Sequence, residues 1–144
     1  MKTAKPITLL LAACVSACIV VHAADAKDGK QTEKKEEAKP FRNVGVSEFE
    51  RLRAQKKNVV LDVRTKKEFD EGHVPGAVNM DVNAADFLEK AAKLDKSKTY
   101  LVHCAAGRRG AKACDQMSGL DFPKLYNLEG GFTAWKKAGN KPEK

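Results

Sequence analysis

Cysteine is scarce in this sequence, and its distribution is uneven. The 144 residues include four cysteines, and two of them, Cys14 and Cys18, lie in an apolar N-terminal stretch. Only Cys104 and Cys114 remain for the rest of the chain. Two cysteines ten positions apart do not make a disulfide framework. A protein that keeps an exposed, reactive thiol in an oxidising compartment is expected to use that thiol.

The chain also lacks an apolar run long enough to cross a membrane comfortably. Its longest run, Ile7–Val21, is shorter than the span of about 20 residues that a transmembrane helix needs. Lys2 and Lys5 precede this run, and Val21-His22-Ala23 follows it with side chains suited to a cleavage site. The pattern is typical of a secretory signal peptide, so we expect residues 1–23 to be a signal and the protein to be exported. A buried N-terminal helix is the alternative.

A lipoprotein signal is a second interpretation of the same segment. Leu11-Ala12-Ala13-Cys14 and Val15-Ser16-Ala17-Cys18 both resemble the bacterial lipobox, in which the cysteine is lipidated and becomes the mature N-terminus. The protein is therefore expected to be either freely periplasmic or a cell-envelope lipoprotein. A lipid anchor on Cys14 or Cys18 is the only membrane contact that we expect.

Residues 24–40 have no large apolar side chain and carry five acidic residues and five lysines. Such a segment cannot bury enough surface to offset its ordering entropy, so we expect a charged, disordered linker. The folded domain is then predicted to occupy residues 41–144, and it is expected to be a monomer.

A basic patch interleaved with aromatic side chains is also missing. The net charge is +8; residues 1–23 contribute two lysines and the linker is balanced, which leaves +6 on residues 41–144. The lysines are scattered along the domain, which argues against a nucleic-acid partner. We expect a solvated basic surface with a modest attraction for anionic substrates.

Strand and helix patterns alternate along the domain and predict one α/β domain with a parallel sheet. Each helix is expected to bury an apolar face, which includes Leu88 and Leu94 in the third helix and Cys114 in the fourth. Ser47 and Glu50 are expected to form a capping box, and Asn83 is expected to cap the third helix. The predicted strands lie at Val44–Val46, Val59–Val63, Val78–Met80, near Tyr100–His103 and at Lys124–Leu128, and the helices begin near Ser47, Lys66, Asn83, the residues after Gly107, and Phe132.

The chain is organised around the stretch Thr99–Ala113, where an apolar strand pattern breaks at Cys104 and resumes as helix-favouring sequence. A helix that starts directly after a loop directs its free backbone N–H groups at that loop. These partial charges, together with Arg108 and Arg109, favour the thiolate form of a cysteine. We therefore predict an active site in which Cys104 is the nucleophile and an anion is held by the loop residues Ala105, Ala106, Gly107, Arg108, Arg109 and Gly110.

Asp62 lies at the C-terminal end of the second predicted strand and Arg64 comes directly after that strand, at the edge where α/β folds place their functional residues. We expect these two side chains to form a supporting ion pair near the site. A capping role for the Asp62 carboxylate is the alternative, and the two roles are compatible.

Four motifs in order resemble a single-domain rhodanese, a thiosulfate-type sulfurtransferase. They are Asp62-Val63-Arg64, Glu68-Phe69 with Gly72–Ala77, the Cys104 loop, and Asn127–Phe132 with Trp135. The resemblance implies a rhodanese-like fold, with a central parallel sheet of about five strands and helices on both sides. It also implies a cysteine that cycles through a persulfide between a small anionic sulfur donor and a thiol or cyanide acceptor, without a metal or an organic cofactor.

His103-Cys104 is also similar to the start of the tyrosine-phosphatase motif, in which an arginine stands six residues after the cysteine. Here that position is Gly110, and Arg109 stands at the fifth, which is the rhodanese spacing. The loop shorter by one residue is expected to fit a sulfur atom on Cys104 better than a phosphate. Gly110 itself departs from the family pattern, because many members have serine or threonine there.

The sequence also predicts roles for the neighbouring residues. Arg109 is expected to close the loop and neutralise its charge, while Arg108 is expected to face the donor at the mouth. His103 is expected to be a strand residue rather than a base, and His73 a structural residue rather than a ligand. Cys114 is expected to pack in the core, with a resolving thiol as the alternative.

Two other functions remain open at this point. The first is a rhodanese-like module that carries sulfur or recruits a partner without efficient turnover. The second is redox chemistry of Cys104 alone.

Overall fold

The structure is a computed structural model, and it describes residues 40–144. Five strands and five helices alternate along this part of the chain. The strands are β1 (Arg42–Val44), β2 (Val59–Asp62), β3 (Val78–Asn79), β4 (Tyr100–His103) and β5 (Leu125–Leu128), and the helices are α1 (Val46–Arg53), α2 (Lys66–Asp70), α3 (Phe87–Ala92), α4 (Arg108–Ser118) and α5 (Gly131–Lys137).

The five strands form one parallel sheet in the order β1-β5-β4-β2-β3. β4 is therefore the central strand, and all four of its residues are buried. Strands that are covered on both faces read as continuous apolar runs, as β2 and β4 do in the sequence. The predicted fold class, a parallel sheet of five strands with helices on both sides, is confirmed.

Alternate residues of β4 enter two separate apolar clusters, one on each face of the sheet. Tyr100 and Val102 belong to the cluster that contains Phe87 of α3 and Met117 of α4. Leu101 belongs to the opposite cluster, which is built on α1 and α5 with Phe49, Leu52, Phe132 and Trp135. Because side chains alternate along a strand, Cys104 falls on the α3–α4 face, and it is part of that cluster.

The start of α1 differs from the prediction. β1 ends at Val44, where its pairing with β5 stops, and Gly45 is the N-cap of a helix that begins at Val46. Ser47 therefore lies inside the first turn, and the predicted capping box is wrong. A capping box does form at α2, where Thr65 and Glu68 exchange side-chain and backbone hydrogen bonds.

The third helix is shorter than predicted. It begins at Phe87 with Asp86 as its N-cap, so the predicted cap at Asn83 is wrong. The backbone N–H of Asn83 instead donates to Asp81 Oδ1, within a turn that precedes the helix. Phe87 is buried, whereas Leu88, which we expected on the apolar face, is 47% exposed.

The predicted signal peptide, Cys14, Cys18 and the linker up to Lys39 lie outside the described residues. Within residues 40–144, no helix is both long enough and apolar enough to span a bilayer.

Candidate active site

Cys104 directly follows β4, at the carboxyl edge of the sheet and on its central strand. The chain then turns through Ala105, Ala106 and Gly107 before α4 begins at Arg108. Gly107 is in the left-handed region with φ 93°, and a Cβ atom there would lie 3.2 Å from the Leu128 carbonyl oxygen. Both the backbone conformation and the available space therefore require glycine at this position.

The loop encloses the sulfur atom. The Gly107 N–H donates to Cys104 Sγ over 3.1 Å, and Cys104 is 1% exposed. The expectation of an exposed thiol is therefore wrong, because the loop folds back over the side chain. Arg108, Arg109 and Gly110 form the first turn of α4, whose N–H groups have no carbonyl partner within the helix. The loop thus supplies positive partial charge to a largely dehydrated sulfur.

The N-terminus of α5 holds the loop from the other side. The Phe132 N–H donates to the Cys104 carbonyl oxygen over 2.7 Å, and the Thr133 N–H donates to the Ala105 carbonyl oxygen over 3.0 Å. Gly131 has φ 55°, and a Cβ atom there would collide with the Cys104 carbonyl oxygen. The absence of a side chain at Gly131 therefore lets α5 approach the cysteine loop at backbone distance.

Arg109 forms a two-pronged ion pair with Glu68, which the sequence analysis did not predict. Its two terminal nitrogens donate to the two Glu68 carboxylate oxygens over 2.8 and 2.7 Å. The Thr65 N–H and Oγ1 also donate to Glu68 Oε2, over 3.0 and 2.9 Å. This network ties the first turn of α4 to the N-terminus of α2. The negative charge that Arg109 neutralises in this structure is that of Glu68.

These contacts change the titration of both groups. The hydrogen bonds from Arg109 lower the pKa of Glu68 from 4.5 to about 2, with a further contribution from Thr65. The pKa of Arg109 is raised by Glu68, and the nearby Cys104 sulfur adds to the effect. The pair is therefore fully charged at neutral pH, beside the cysteine loop.

Arg108 is exposed and lies on a different side of the loop. It lines a depression with Asn43, Gly107 and Asn127, whereas Ala105 lines the depression that contains Glu68. The structure thus separates the two arginines that the sequence placed next to each other. Arg108 faces the depression beside Asn127 and not the one beside Glu68, and its expected contact with a donor stays a prediction.

Asp62 and Arg64 form the predicted ion pair. Arg64 Nη2 donates to Asp62 Oδ2 over 2.6 Å and to the Gly72 carbonyl oxygen over 2.8 Å. Asp62 also accepts from the Arg64 backbone N–H, so it caps the turn as well. The Arg64 guanidinium lies 4.2 Å from the centre of the Phe132 ring, which places the pair against the start of α5.

A depression of about 360 Å³ opens beside the loop. Two cationic side chains, Arg64 and Lys136, lie in its wall. The rest of the lining is Glu68, Glu71, Gly72, Ala105, Phe132 and Thr133.

His103 lies on the sheet face opposite to Cys104, packed between the rings of Phe49 and Phe132. Burial lowers its pKa to about 4, even though Asp62 nearby opposes the shift. Because the imidazole lies on the opposite face of the strand, it cannot take a proton from Cys104. This agrees with the expectation that His103 is not the base.

His73 has a structural environment. Its ring stacks on Phe69 with 3.7 Å between centroids, and Nδ1 lies 3.0 Å from the Phe69 carbonyl oxygen. Within residues 40–144, no group of three or more His, Cys, Asp or Glu side chains is placed to hold a metal ion.

Cys114 is fully buried among apolar side chains on the inner face of α4. Burial, with a smaller contribution from Cys104, raises the pKa of its thiol to about 12. A protonated, inaccessible thiol agrees with packing and not with a resolving role.

Gly110 faces the side chain of Asn127. A Cβ atom at Gly110 would overlap Asn127 Oδ1, while Asn127 Nδ2 donates to Asn43 Oδ1 over 2.9 Å. Asn127 thus occupies the space that a hydroxyl-bearing side chain at position 110 would need. This explains the glycine where many family members have serine or threonine.

The structure is thus a parallel α/β domain with a cysteine loop after its central strand. Comparison with known proteins identifies the family to which it belongs. The family described as "Rhodanese-like domain" matches residues 45–138. The chain belongs to the rhodanese-like family, as its motifs predicted.

Several curated relatives are named as sulfurtransferases. The chain is 36% identical over 87 residues to the putative sulfurtransferase YtwF of Bacillus subtilis, which covers 60% of this chain and 82% of that protein. It is 29% identical over 99 residues to the thiosulfate sulfurtransferase GlpE of Shewanella oneidensis, which covers 68% of this chain and 95% of GlpE. These relatives support membership of a sulfurtransferase family.

Solved structures show the same fold. A rhodanese-related protein from Thermoplasma volcanium superposes with a TM-score of 0.64 at 28% identity, covering 72% of this chain and 98% of that one. The rhodanese-like domain of the Alr3790 protein from Anabaena superposes with a TM-score of 0.62 at 27% identity, and the match covers 70% of this chain and 77% of that one.

Proposed function

We propose that this protein is a thiosulfate-type sulfurtransferase that uses a persulfide on Cys104. In the first step the Cys104 thiolate attacks the outer sulfur of thiosulfate. A new S–S bond forms at Cys104, the S–S bond of thiosulfate breaks, and its electron pair leaves with sulfite. The enzyme then holds Cys–S–S⁻, and no proton is transferred in this step.

The enclosure of the Cys104 sulfur is the observation that carries this proposal. Sγ accepts the Gly107 N–H, and Gly107 is the N-cap of α4, whose first N–H groups have no partner within the helix. These dipoles are already oriented before the reaction, so they stabilise negative charge on sulfur without reorganisation. A terminal sulfur on Cys104 is the anion for which such a site is suited.

The depression beside the loop supports an anionic donor. Arg64 and Lys136 lie in its wall next to Ala105, and of the two carboxylates in the lining, Glu68 and Glu71, the first is paired with Arg109. We assign donor binding to this depression, so that the sulfonate end of thiosulfate contacts these cations and the outer sulfur approaches Cys104.

The second step transfers the outer sulfur to an acceptor. A thiolate or cyanide attacks the outer sulfur of the persulfide, the Cys104–S bond breaks, and the Cys104 thiolate is regenerated. We also propose that this chemistry takes place in the cell envelope, a proposal supported by the signal-like pattern of residues 1–23 and by Cys14 and Cys18 as candidate lipid attachment sites. Replacing both cysteines and measuring the membrane-bound fraction tests the anchor.

Intact mass after exposure to thiosulfate tests the central step. We expect the wild-type protein to gain one sulfur atom, and we expect Cys104→Ser to gain none. Cys114→Ser is the matched control, and it should gain the sulfur like the wild type because Cys114 is buried and protonated. An unchanged wild-type mass under an excess of donor would refute the proposal.

A sulfur carrier without efficient turnover is the second candidate. The near-complete burial of Cys104 and the pairing of Arg109 with Glu68 favour it, because both restrict access of an acceptor to the loop. Transfer from thiosulfate to cyanide separates the two functions. Multiple turnovers per Cys104 support the enzyme, whereas a single sulfur retained after excess cyanide supports the carrier.

A further inference from the structure

Four exposed lysines gather at the edge of the sheet opposite to Cys104. Parallel strands all begin at one edge, and the residues just before β2, β4 and β5 therefore lie together. Lys56, Lys57, Lys98 and Lys124, which we call the lysine face, surround a depression lined also by Asn58, Val59, Ser97 and Thr99. The candidate active site uses none of these residues.

The positive charge of this face is only partly offset by other described residues, through the electrostatic interaction of the Asp95 carboxylate with Lys98. Within residues 40–144, no lysine of the lysine face forms an ion pair, whereas Lys66, Lys90 and Lys93 each pair with a carboxylate four positions away. Asp95 is the nearby acid on the β4 side. Its carboxylate accepts from the N–H and Oγ of Ser97, over 3.0 and 2.6 Å.

The described chain begins at the same edge. Pro40 and Phe41 line a second depression together with Lys124, because β1 starts alongside the start of β5. The segment that leads toward the predicted signal or lipid anchor therefore joins the domain beside the lysine face.

We propose that the lysine face binds the anionic headgroups of a lipid bilayer. Lysines on flexible stems around an open depression match separate negative charges spread over a surface. The linker is a poorer occupant, since residues 24–40 carry equal numbers of acidic and basic residues and offer no net negative charge. Binding at this edge turns the Cys104 loop, at the other edge of the sheet, toward the aqueous phase.

Flotation of the full chain with vesicles tests this surface. Phosphatidylcholine vesicles are compared with vesicles that also contain phosphatidylglycerol, so that insertion of the apolar N-terminal segment contributes to both. We expect tighter binding to the anionic vesicles, and a loss of that difference at high salt. In the variant Lys57→Gln/Lys98→Gln/Lys124→Gln, the preference should fall by tenfold or more, since each lysine near a charged bilayer contributes about fivefold in affinity.

The control variant Lys112→Gln/Lys137→Gln/Lys141→Gln removes the same charge from other exposed lysines and should keep the preference within about twofold. Thermal unfolding of both variants checks that they fold. An equal loss in both variants would show a diffuse charge effect and overturn the proposal. So would displacement by inorganic phosphate at matched ionic strength, which would indicate a site for a free anion.

Discussion

At the scale of single residues, the Glu68 carboxylate connects the capping of α2 to the cysteine loop. It accepts hydrogen bonds from the Thr65 N–H and hydroxyl, and it forms the bidentate ion pair with Arg109. Charged hydrogen bonds with this fork geometry fix orientation as well as distance. We infer that Glu68 positions Arg109, and through it the first turn of α4, around the Cys104 sulfur.

Replacing Glu68 by Gln should therefore reduce sulfur transfer. We expect kcat to fall by about tenfold or more, because Arg109 and the loop lose their fixed geometry. The KM for thiosulfate should not rise, because the variant has one negative charge fewer beside an anionic donor. Steady-state thiosulfate-to-cyanide kinetics measure both quantities.

Glu48→Gln is the matched control, since it removes a carboxylate that pairs only with the exposed Arg42 and Arg51 among the described residues. Its kinetics should equal those of the wild type. A Glu68→Gln variant with unchanged kcat would contradict the positioning role.

At the scale of elements, α4 and α5 contact the Cys104 loop from two sides. The N-cap of α4, Gly107, donates its N–H to the sulfur, and Phe132 and Thr133 of α5 donate theirs to the Cys104 and Ala105 carbonyl oxygens. Binding of the loop carbonyls by α5 leaves the loop N–H groups available to the sulfur. The geometry of the site thus depends on how closely α5 approaches the loop.

Gly131→Ala tests this dependence. The new Cβ atom would collide with the Cys104 carbonyl oxygen, so α5 must move away from the loop. We expect the free energy of unfolding to fall by roughly 2–4 kcal/mol, as steric overlap and a strained φ act together. Activity of the remaining folded protein should fall as well. Urea unfolding and the transfer assay measure the two effects.

Gly139→Ala is the control that separates the effect of backbone strain from the effect of steric overlap. Gly139 also has a positive φ, of 89°, but a Cβ atom there meets nothing within 4 Å. This variant should lose only about 1 kcal/mol and keep its activity. If both variants behaved alike, contact between α5 and the loop would not be what the site requires.

At the scale of the whole molecule, two apolar clusters cover the faces of the sheet, and the polar side chain of His103 is buried between the sheet and one of them. His103 is 0% exposed, and its Nε2 lies 3.7 Å from Asp62 Oδ2, beyond hydrogen-bond distance. The unfolded chain binds a proton at His103 with a pKa near 6.5, whereas burial lowers that pKa to about 4 in the folded protein. Protons therefore favour the unfolded state between these two values.

Stability should accordingly be greatest above the unfolded pKa of His103 and should fall as the pH drops toward 4. Urea unfolding at about pH 7 and about pH 5 should show a loss on the order of 1–2 kcal/mol. His103→Gln should reduce this difference. Glu68 adds a separate loss at lower pH, as its carboxylate protonates between 4.5 and about 2. An unchanged difference in His103→Gln would show that another group titrates.

Local patterns in the sequence were sufficient for the succession of strands and helices along the chain, the position of Cys104 directly after a strand, and the Asp62–Arg64 pair. Each depends on periodicity, on turn-forming residues or on neighbours two positions apart. Local patterns failed where competing caps were available, as at Ser47 and Asn83. At these positions the end of strand pairing and an earlier turn decided where the helix begins.

By itself, the sequence determined the family and the spacing from Cys104 to Arg109, because both are written in consecutive residues. The tertiary structure alone decided which groups surround Cys104. Glu68 reaches Arg109 across 41 positions, α5 binds the loop carbonyls, and Asn127 fills the space beside Gly110. These contacts join elements that the order β1-β5-β4-β2-β3 brings together, and no local preference of the chain encodes that order.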